Sequence, residues 1–251
     1  MEITSTEAQN NFGQYMKFAE FEDIIVTRNG KRAIVIKAYR EPKETYSIVA
    51  EKAEAYGFKG SRISYEEFLK LSESSEERYE YIDGEVYLLA SPVFDHQTAI
   101  TEILNILYNR LKAKKCRPIT SPFDITLVKN ISKSDDKSDD KSDGKNVVQP
   151  DVLVICDTEN INEKGRYTGI PTLVIEVLSR TTRSKDMLKK LDLYMQSGVQ
   201  EYWIVNTVDK EIYLYYFEKY DIMEYRTYRE NETLRSEVFK GLEFNLIDIF
   251  I

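Results

Sequence analysis

Gln149-Pro150-Asp151-Val152-Leu153-Val154-Ile155-Cys156 and, further on, Gly169-Ile170-Pro171-Thr172-Leu173-Val174-Ile175-Glu176-Val177-Leu178-Ser179 decide how this chain is read. Each holds a short apolar run, rich in β-branched residues and opened by Pro or Gly, so each reads as a strand buried on both faces. Asp151 stands at the mouth of the first run and Glu176 inside the second. A carboxylate at a strand end is ordinary. One inside a buried strand needs a partner, because burying it unpaired is unfavourable by several kcal/mol. A divalent cation shared with Asp151 would serve, and so would an ion pair between Glu176 and a Lys or Arg.

Working outward, the next segment is amphipathic from Ser184 to Ser197 through Met187, Leu188, Leu191, Tyr194 and Met195, and Gly198 closes it. Glu201 to Asn206, Ile212 to Phe217, Met223 to Tyr228 and Glu237-Val238-Phe239 read as further strands. Before the central pair, Tyr79 to Leu89 reads as a hairpin about Asp83-Gly84. A helix is expected from Asp95 to Lys114, with His96 at its start, and strands over Ile119–Pro122 and Asp124–Val128. Ser132 to Lys145 repeats Lys-Ser-Asp-Asp with almost no apolar content, which predicts a mobile polar insertion. It lacks the closing glutamate of an EF-hand loop.

Composition bounds the answer. The 251 residues, 42% hydrophobic and 31% charged, describe a soluble globular protein of one large domain or two. No apolar run is long enough to span a membrane, and Met1-Glu2-Ile3-Thr4-Ser5 has no signal-peptide pattern. Cys116 and Cys156 are read as thiols of a reducing cytoplasm. A net charge of −8 argues against sequence-blind coating of nucleic acid but leaves a local basic surface open.

Residues 1–43 read as a separate small unit. Thr4-Ser5-Thr6-Glu7 is a capping box, Ala8, Phe12, Tyr15, Met16 and Ala19 recur at helical spacing, and Ile24–Thr27 and Ala33–Ile36 flank an Asn29-Gly30 turn. Thr6-Glu7-Ala8, Asn11-Phe12, Ile25 to Lys31 and Ala33 to Ile36 resemble the Phd/YefM antitoxin N-terminal domain. That resemblance implies a homodimer that presents Asn10, Asn11, Arg28 and Lys31 to DNA; the family's toxin-wrapping tail is replaced here by another domain, and a true antitoxin with a separate toxin partner is an alternative reading. Glu41-Pro42-Lys43-Glu44 begins a linker, residues 44–59 make a linker helix over Ile48–Phe58, and Ser64-Tyr65-Glu66-Glu67 is a second capping box.

The order strand, Asp151, strand, Glu176, with a lysine nearby, is that of the PD-(D/E)XK nuclease fold. Tyr79-Glu80-Tyr81-Ile82-Asp83-Gly84-Glu85, His96, Gln149-Pro150-Asp151-Val152, Pro171 to Ser179, Asp186, Lys190, Tyr194 and Gly198 to Val205 together resemble the Uma-type restriction endonucleases, over residues 60–251. The resemblance implies an α/β (α+β) fold, a mixed central sheet flanked by helices, and a Mg²⁺-dependent DNA endonuclease, with Mn²⁺ as an alternative ion. Asp151, Glu176 and Lys190 would be catalytic, Asp151, Glu176 and Glu80 would hold metal, and His96 and Asp186 would support them. Glu176-Val177-Leu178 has leucine where the motif name asks for lysine, and Lys190 on the following helix takes that part. The competing readings are a surface pair of Lys190 with Asp186, a structural salt bridge for Glu80, and a non-catalytic DNA-binding regulator that uses the nuclease fold as a scaffold.

Overall fold

The structure, a computed structural model, describes residues 1–19, 24–28, 30–36, 62–89, 91–130, 144–178 and 189–250. Asp186, the expected linker helix and most of the Lys-Ser-Asp-Asp insertion lie outside the described residues.

The N-terminal unit is α+β. Strand β1 (Glu2–Thr4) pairs parallel with β2 (Ile24–Arg28), which pairs antiparallel with β3 (Lys31–Ile36). The Thr4 capping box forms, but the expected single helix is two, Ser5–Asn10 and Phe12–Ala19, broken at Asn11. Asn competes with the helix through its own short polar side chain, so it is a natural place for the break. β1 was hidden in the sequence because three residues show no alternation.

The larger unit is built on a six-stranded mixed sheet. Its strands are β6 (Arg117–Thr120), β9 (Val152–Ile155), β10 (Leu173–Val177), β11 (Glu201–Asn206), β12 (Glu211–Glu218) and β13 (Asp221–Arg229), lying in the order β13-β12-β11-β10-β9-β6. β10 runs parallel to β11 and antiparallel to β9. Parallel strands need a crossover, and the helix Leu191–Ser197 lies within it. Gly198 ends that helix in the left-handed conformation (φ 91°).

Both faces of β10 are buried, which explains its unbroken apolar run. Leu173, Ile175 and Val177 pack with Ile100, Ile103, Leu107 and Leu111 of the helix Phe94–Leu111, and with Trp203 and Phe244. Val174 and Leu178 share a second cluster with Leu191, Tyr194, Tyr202 and Ile204. Alternation therefore puts Glu176 on the side of the crossover helix.

A four-stranded sheet stands beside this one. Its strands β4 (Tyr79–Ile82), β5 (Glu85–Leu88), β7 (Ile125–Val128) and β8 (Lys145–Val148) lie in the order β5-β4-β8-β7. The β4–β5 turn has positive φ at both Asp83 (52°) and Gly84 (83°), the type I′ geometry that suits a hairpin. Lys145, expected at the end of the polar insertion, instead opens β8 opposite Val128.

Two further expectations are corrected. Glu237-Val238-Phe239 is not a strand: the Glu237 and Val238 N–H groups donate to Glu201 Oε2 at 2.8 and 2.9 Å, so they are unavailable to a ladder. The last strands are instead β14 (Thr233–Arg235) and β15 (Glu243–Asn245), which pair with each other. Cys116 and Cys156, read as free thiols, are joined in a disulfide. The β6–β9 register, Arg117 opposite Ile155, sets them across from each other, a proximity their separation in sequence conceals. No helix among the described residues is long and apolar enough to cross a membrane.

Leu107 is fully buried in the cluster that joins the long helix to the sheet. Leu107→Ala should destabilise the fold by about 2–5 kcal/mol, seen as a lower urea midpoint with an unchanged slope.

Candidate active site

Three elements carry the acidic residues. Glu80 comes from β4, Asp151 from the entry to β9 and Glu176 from the C-terminal half of β10. The register of β10 on β9 pairs Ile175 with Val152, so Asp151 arrives beside Glu176 and Val177. The Val177 N–H donates to Asp151 Oδ2 at 2.8 Å. His96, in the first turn of Phe94–Leu111, places Nε2 3.3 Å from the same Oδ2.

Lys190 is the N-cap residue of Leu191–Ser197 and only 2% exposed. Its Nζ lies 2.6 Å from Glu176 Oε1 and 2.9 Å from Glu80 Oε1. Glu80 is 0% and Glu176 3% exposed, so all three charges are buried. Of the readings open for Glu176, an ion pair with a lysine is present, and that lysine is Lys190. A surface position for Lys190 is excluded by its burial. Its expected neighbour Asp186 lies outside the described residues.

The structure adds groups that sequence reasoning left without a role. Tyr194, one turn after Lys190 on the same helix face, donates its hydroxyl to Glu176 Oε1 at 2.6 Å. The Gln149 N–H donates to Glu80 Oε1 at 3.0 Å, and its side-chain Nε2 donates to Asp124 Oδ1 at 2.8 Å. Asp124 also pairs with Arg166 at 3.2 Å. Because the carboxylate claims the amide nitrogen, Gln149 Oε1 is turned away, buried and without a partner among the described residues. Both Gln149 and Tyr194 sit in stretches already singled out, and only the fold could assign their contacts.

Lysines also tie the β4–β5 hairpin to the crossover helix. Lys129 donates to Asp83 Oδ2 at 2.7 Å and to Asp192 Oδ2 at 2.8 Å. Lys189, next to Lys190, donates to Glu85 Oε2 at 2.6 Å and bonds the Tyr87 hydroxyl. Burial alone would raise the Glu85 carboxyl, but the Lys189 and Tyr87 hydrogen bonds and the Lys189 and Arg62 charges carry it below its usual range. For Lys129, burial favours the neutral amine, and the Asp192 and Asp83 charges outweigh it, so its pKa rises.

The residues suit a divalent cation by their chemistry. Asp151, Glu176 and Glu80 offer hard carboxylate oxygens. Among the described residues no three His, Cys, Asp or Glu side chains form a metal cage. Mg²⁺ needs none, since it commonly takes one or two carboxylates and completes its shell with water and substrate oxygens.

The four DNA-contact candidates lie in the N-terminal unit. Asn11 is exposed at the break between its helices, and Arg28 and Lys31 are exposed and paired in the β2–β3 register. Asn10 ends the first helix, and its side chain lies outside the described residues.

The mixed sheet has an aspartate at the mouth of one strand, a glutamate within the next and a lysine at the start of the crossover helix, the order in which the chain resembles the restriction-endonuclease-like class. The chain belongs to the Uma2 family, described as "Putative restriction endonuclease", whose model matches residues 65–247. A second model, "Antitoxin Phd_YefM, type II toxin-antitoxin system", matches residues 1–50. The chain is 28% identical over 156 residues to "Uncharacterized protein slr1290" of Synechocystis sp., covering 62% of this chain and 74% of that one. It is similar in fold to a solved Anabaena variabilis protein described as a "putative nuclease belonging to DUF820". That match has a TM-score of 0.57 and 20% identity, over 75% of this chain and 97% of the other.

Since the Glu85 carboxyl is depressed in the fold from its ordinary 4.5, its stabilisation is full above that pH and is lost as pH falls through the folded-state value. Urea unfolding of wild type and Glu85→Gln should therefore differ at neutral pH, and the difference should shrink steadily below about pH 4.5.

Proposed function

We propose that the chain is a metal-dependent DNA endonuclease in which the antitoxin-like residues 1–43 dimerise and contact DNA and residues 60–251 cut it, with residues 44–59 as a linker. The observation that carries this reading is the buried cluster of Glu80, Glu176 and Lys190, with Asp151 held on the N–H of Val177, the residue after Glu176. Asp151 and Glu176 would hold the cation, with Glu80 as a further carboxylate, and Mg²⁺ or Mn²⁺ suits such oxygens. When bound, the ion supplies charge neutralisation at the phosphate and lowers the pKa of an attacking water.

The chain's own groups do the positioning. The Val177 N–H and His96 orient the Asp151 carboxylate, and Tyr194 orients Glu176. Lys190 has the charge and reach to orient the water and to stabilise the developing negative charge on the phosphate oxygens. Asp186 would be a supporting residue. In the N-terminal unit, Asn10, Asn11, Arg28 and Lys31 are the proposed DNA contacts. Phe12 and Met16, one helical turn apart, are each 53% exposed, and Ile34 and Val35 are exposed on edge strand β3. Uncovered apolar side chains of that kind support a homodimer.

One observation favours a second reading. Because Lys190 already neutralises Glu176, the buried carboxylate is explained without metal, as a non-catalytic DNA-binding regulator would have it. A separate toxin bound by the N-terminal unit is a further alternative, which co-purification of a small partner would support.

Cleavage of supercoiled plasmid in Mg²⁺ or Mn²⁺ separates these readings. The nuclease reading expects nicking by wild type and a loss of at least about a hundredfold in Asp151→Asn and Glu176→Gln, with both variants folded. DNA binding without nicking by wild type would favour the regulator.

A further inference from the structure

We propose that Lys190 is the resident counter-cation of this site and that a divalent ion binds in competition with it. The inference rests on the metal-dependent reading above and concerns how that site is kept and loaded. Glu176 and Glu80 share one ammonium, at 2.6 and 2.9 Å from Oε1 of each. All three side chains are at most 4% exposed. Two carboxylates held together away from water repel each other and need a cation between them. Lys190 supplies it from within the chain.

The oxygens it occupies are those a divalent ion would seek. Mg²⁺ and Mn²⁺ prefer hard carboxylate oxygens, and Glu176 Oε1 already accepts from both Lys190 Nζ and the Tyr194 hydroxyl. Loading the site is therefore an exchange of cations rather than the filling of a ready vacancy. Glu80 is held by the Gln149 N–H and gives the displaced ammonium a second carboxylate nearby. Two consequences follow. Lys190 weakens metal binding relative to what the carboxylates alone would give, and it is released from Glu176 only when metal is present. A lysine that must act on water or phosphate is then freed by the ion that brings them.

The test is calorimetric titration of Mn²⁺, without DNA, into the full chain as wild type and as Lys190→Met. Removing the competing ammonium should tighten Mn²⁺ binding by about tenfold or more. The metal-free variant should also melt below wild type, and Mn²⁺ should raise its melting temperature by more than it raises that of wild type. Because Lys190→Met removes a cation shared by two buried carboxylates and can prevent folding, the comparison is repeated between Glu80→Gln and Glu80→Gln/Lys190→Met. Tightening on loss of the lysine in either folded pair supports the inference. Mn²⁺ binding by wild type, with equal or weaker binding once the lysine is removed, overturns it and leaves the nuclease reading standing. No Mn²⁺ binding by any of these proteins overturns both.

Discussion

One ammonium, shared by two buried carboxylates from different sheets, is the interaction on which the larger unit turns. Glu80 belongs to the four-stranded sheet, Glu176 to the six-stranded sheet, and Lys190 to the helix that crosses between β10 and β11. Separately, each charge would be strongly unfavourable in the interior. Together they demand that hairpin, strand and helix arrive at one point. Lys129 and Lys189 repeat the connection nearer the surface, linking the same hairpin to the same helix. Those partly exposed pairs add little stability individually, and their value lies in fixing the angle at which the helix start meets β4. The result is a site whose lysine comes from a helix, because Glu176-Val177-Leu178 leaves the strand position apolar.

The apolar sheet makes this arrangement affordable. β10 is buried on both faces, and the long helix and the C-terminal strands close one side while the crossover helix closes the other. Glu201 shows the same logic applied to structure alone. Burial pushes its carboxyl up, against donors from Val238 N–H, the Trp203 indole, the Ser236 hydroxyl and Glu237 N–H. It anchors the turn that leads from β14 toward the last strand.

Much of this was legible in the sequence, for identifiable reasons. The two central strands stood out because burial on both faces leaves an uninterrupted apolar run, and a glutamate inside such a run is conspicuous. Asp83-Gly84 and the capping boxes at Thr4 and Ser64 are local chemistry, and they form as read. What stayed hidden depends on register or on tertiary contact. The Cys116–Cys156 bond follows from the β6–β9 pairing, which residues so far apart do not announce. Glu237–Phe239 has a strand's composition, yet its N–H groups are taken by a carboxylate from β11. Tyr194 reads as core and is core, but its hydroxyl ends on Glu176. The partner of Glu176 is hidden for the same reason, since a lysine beyond the strand looks like any surface lysine until the helix is docked.

The central claim is that these buried carboxylates exist to receive a divalent ion, with Lys190 holding their place. Anomalous diffraction from crystals grown with Mn²⁺ tests it most directly. The account predicts a manganese peak bonded to Asp151 and Glu176, with the Lys190 ammonium withdrawn from Glu176 Oε1. Crystals saturated with Mn²⁺ that show no peak there, and Lys190 still seated between Glu80 and Glu176, would contradict it.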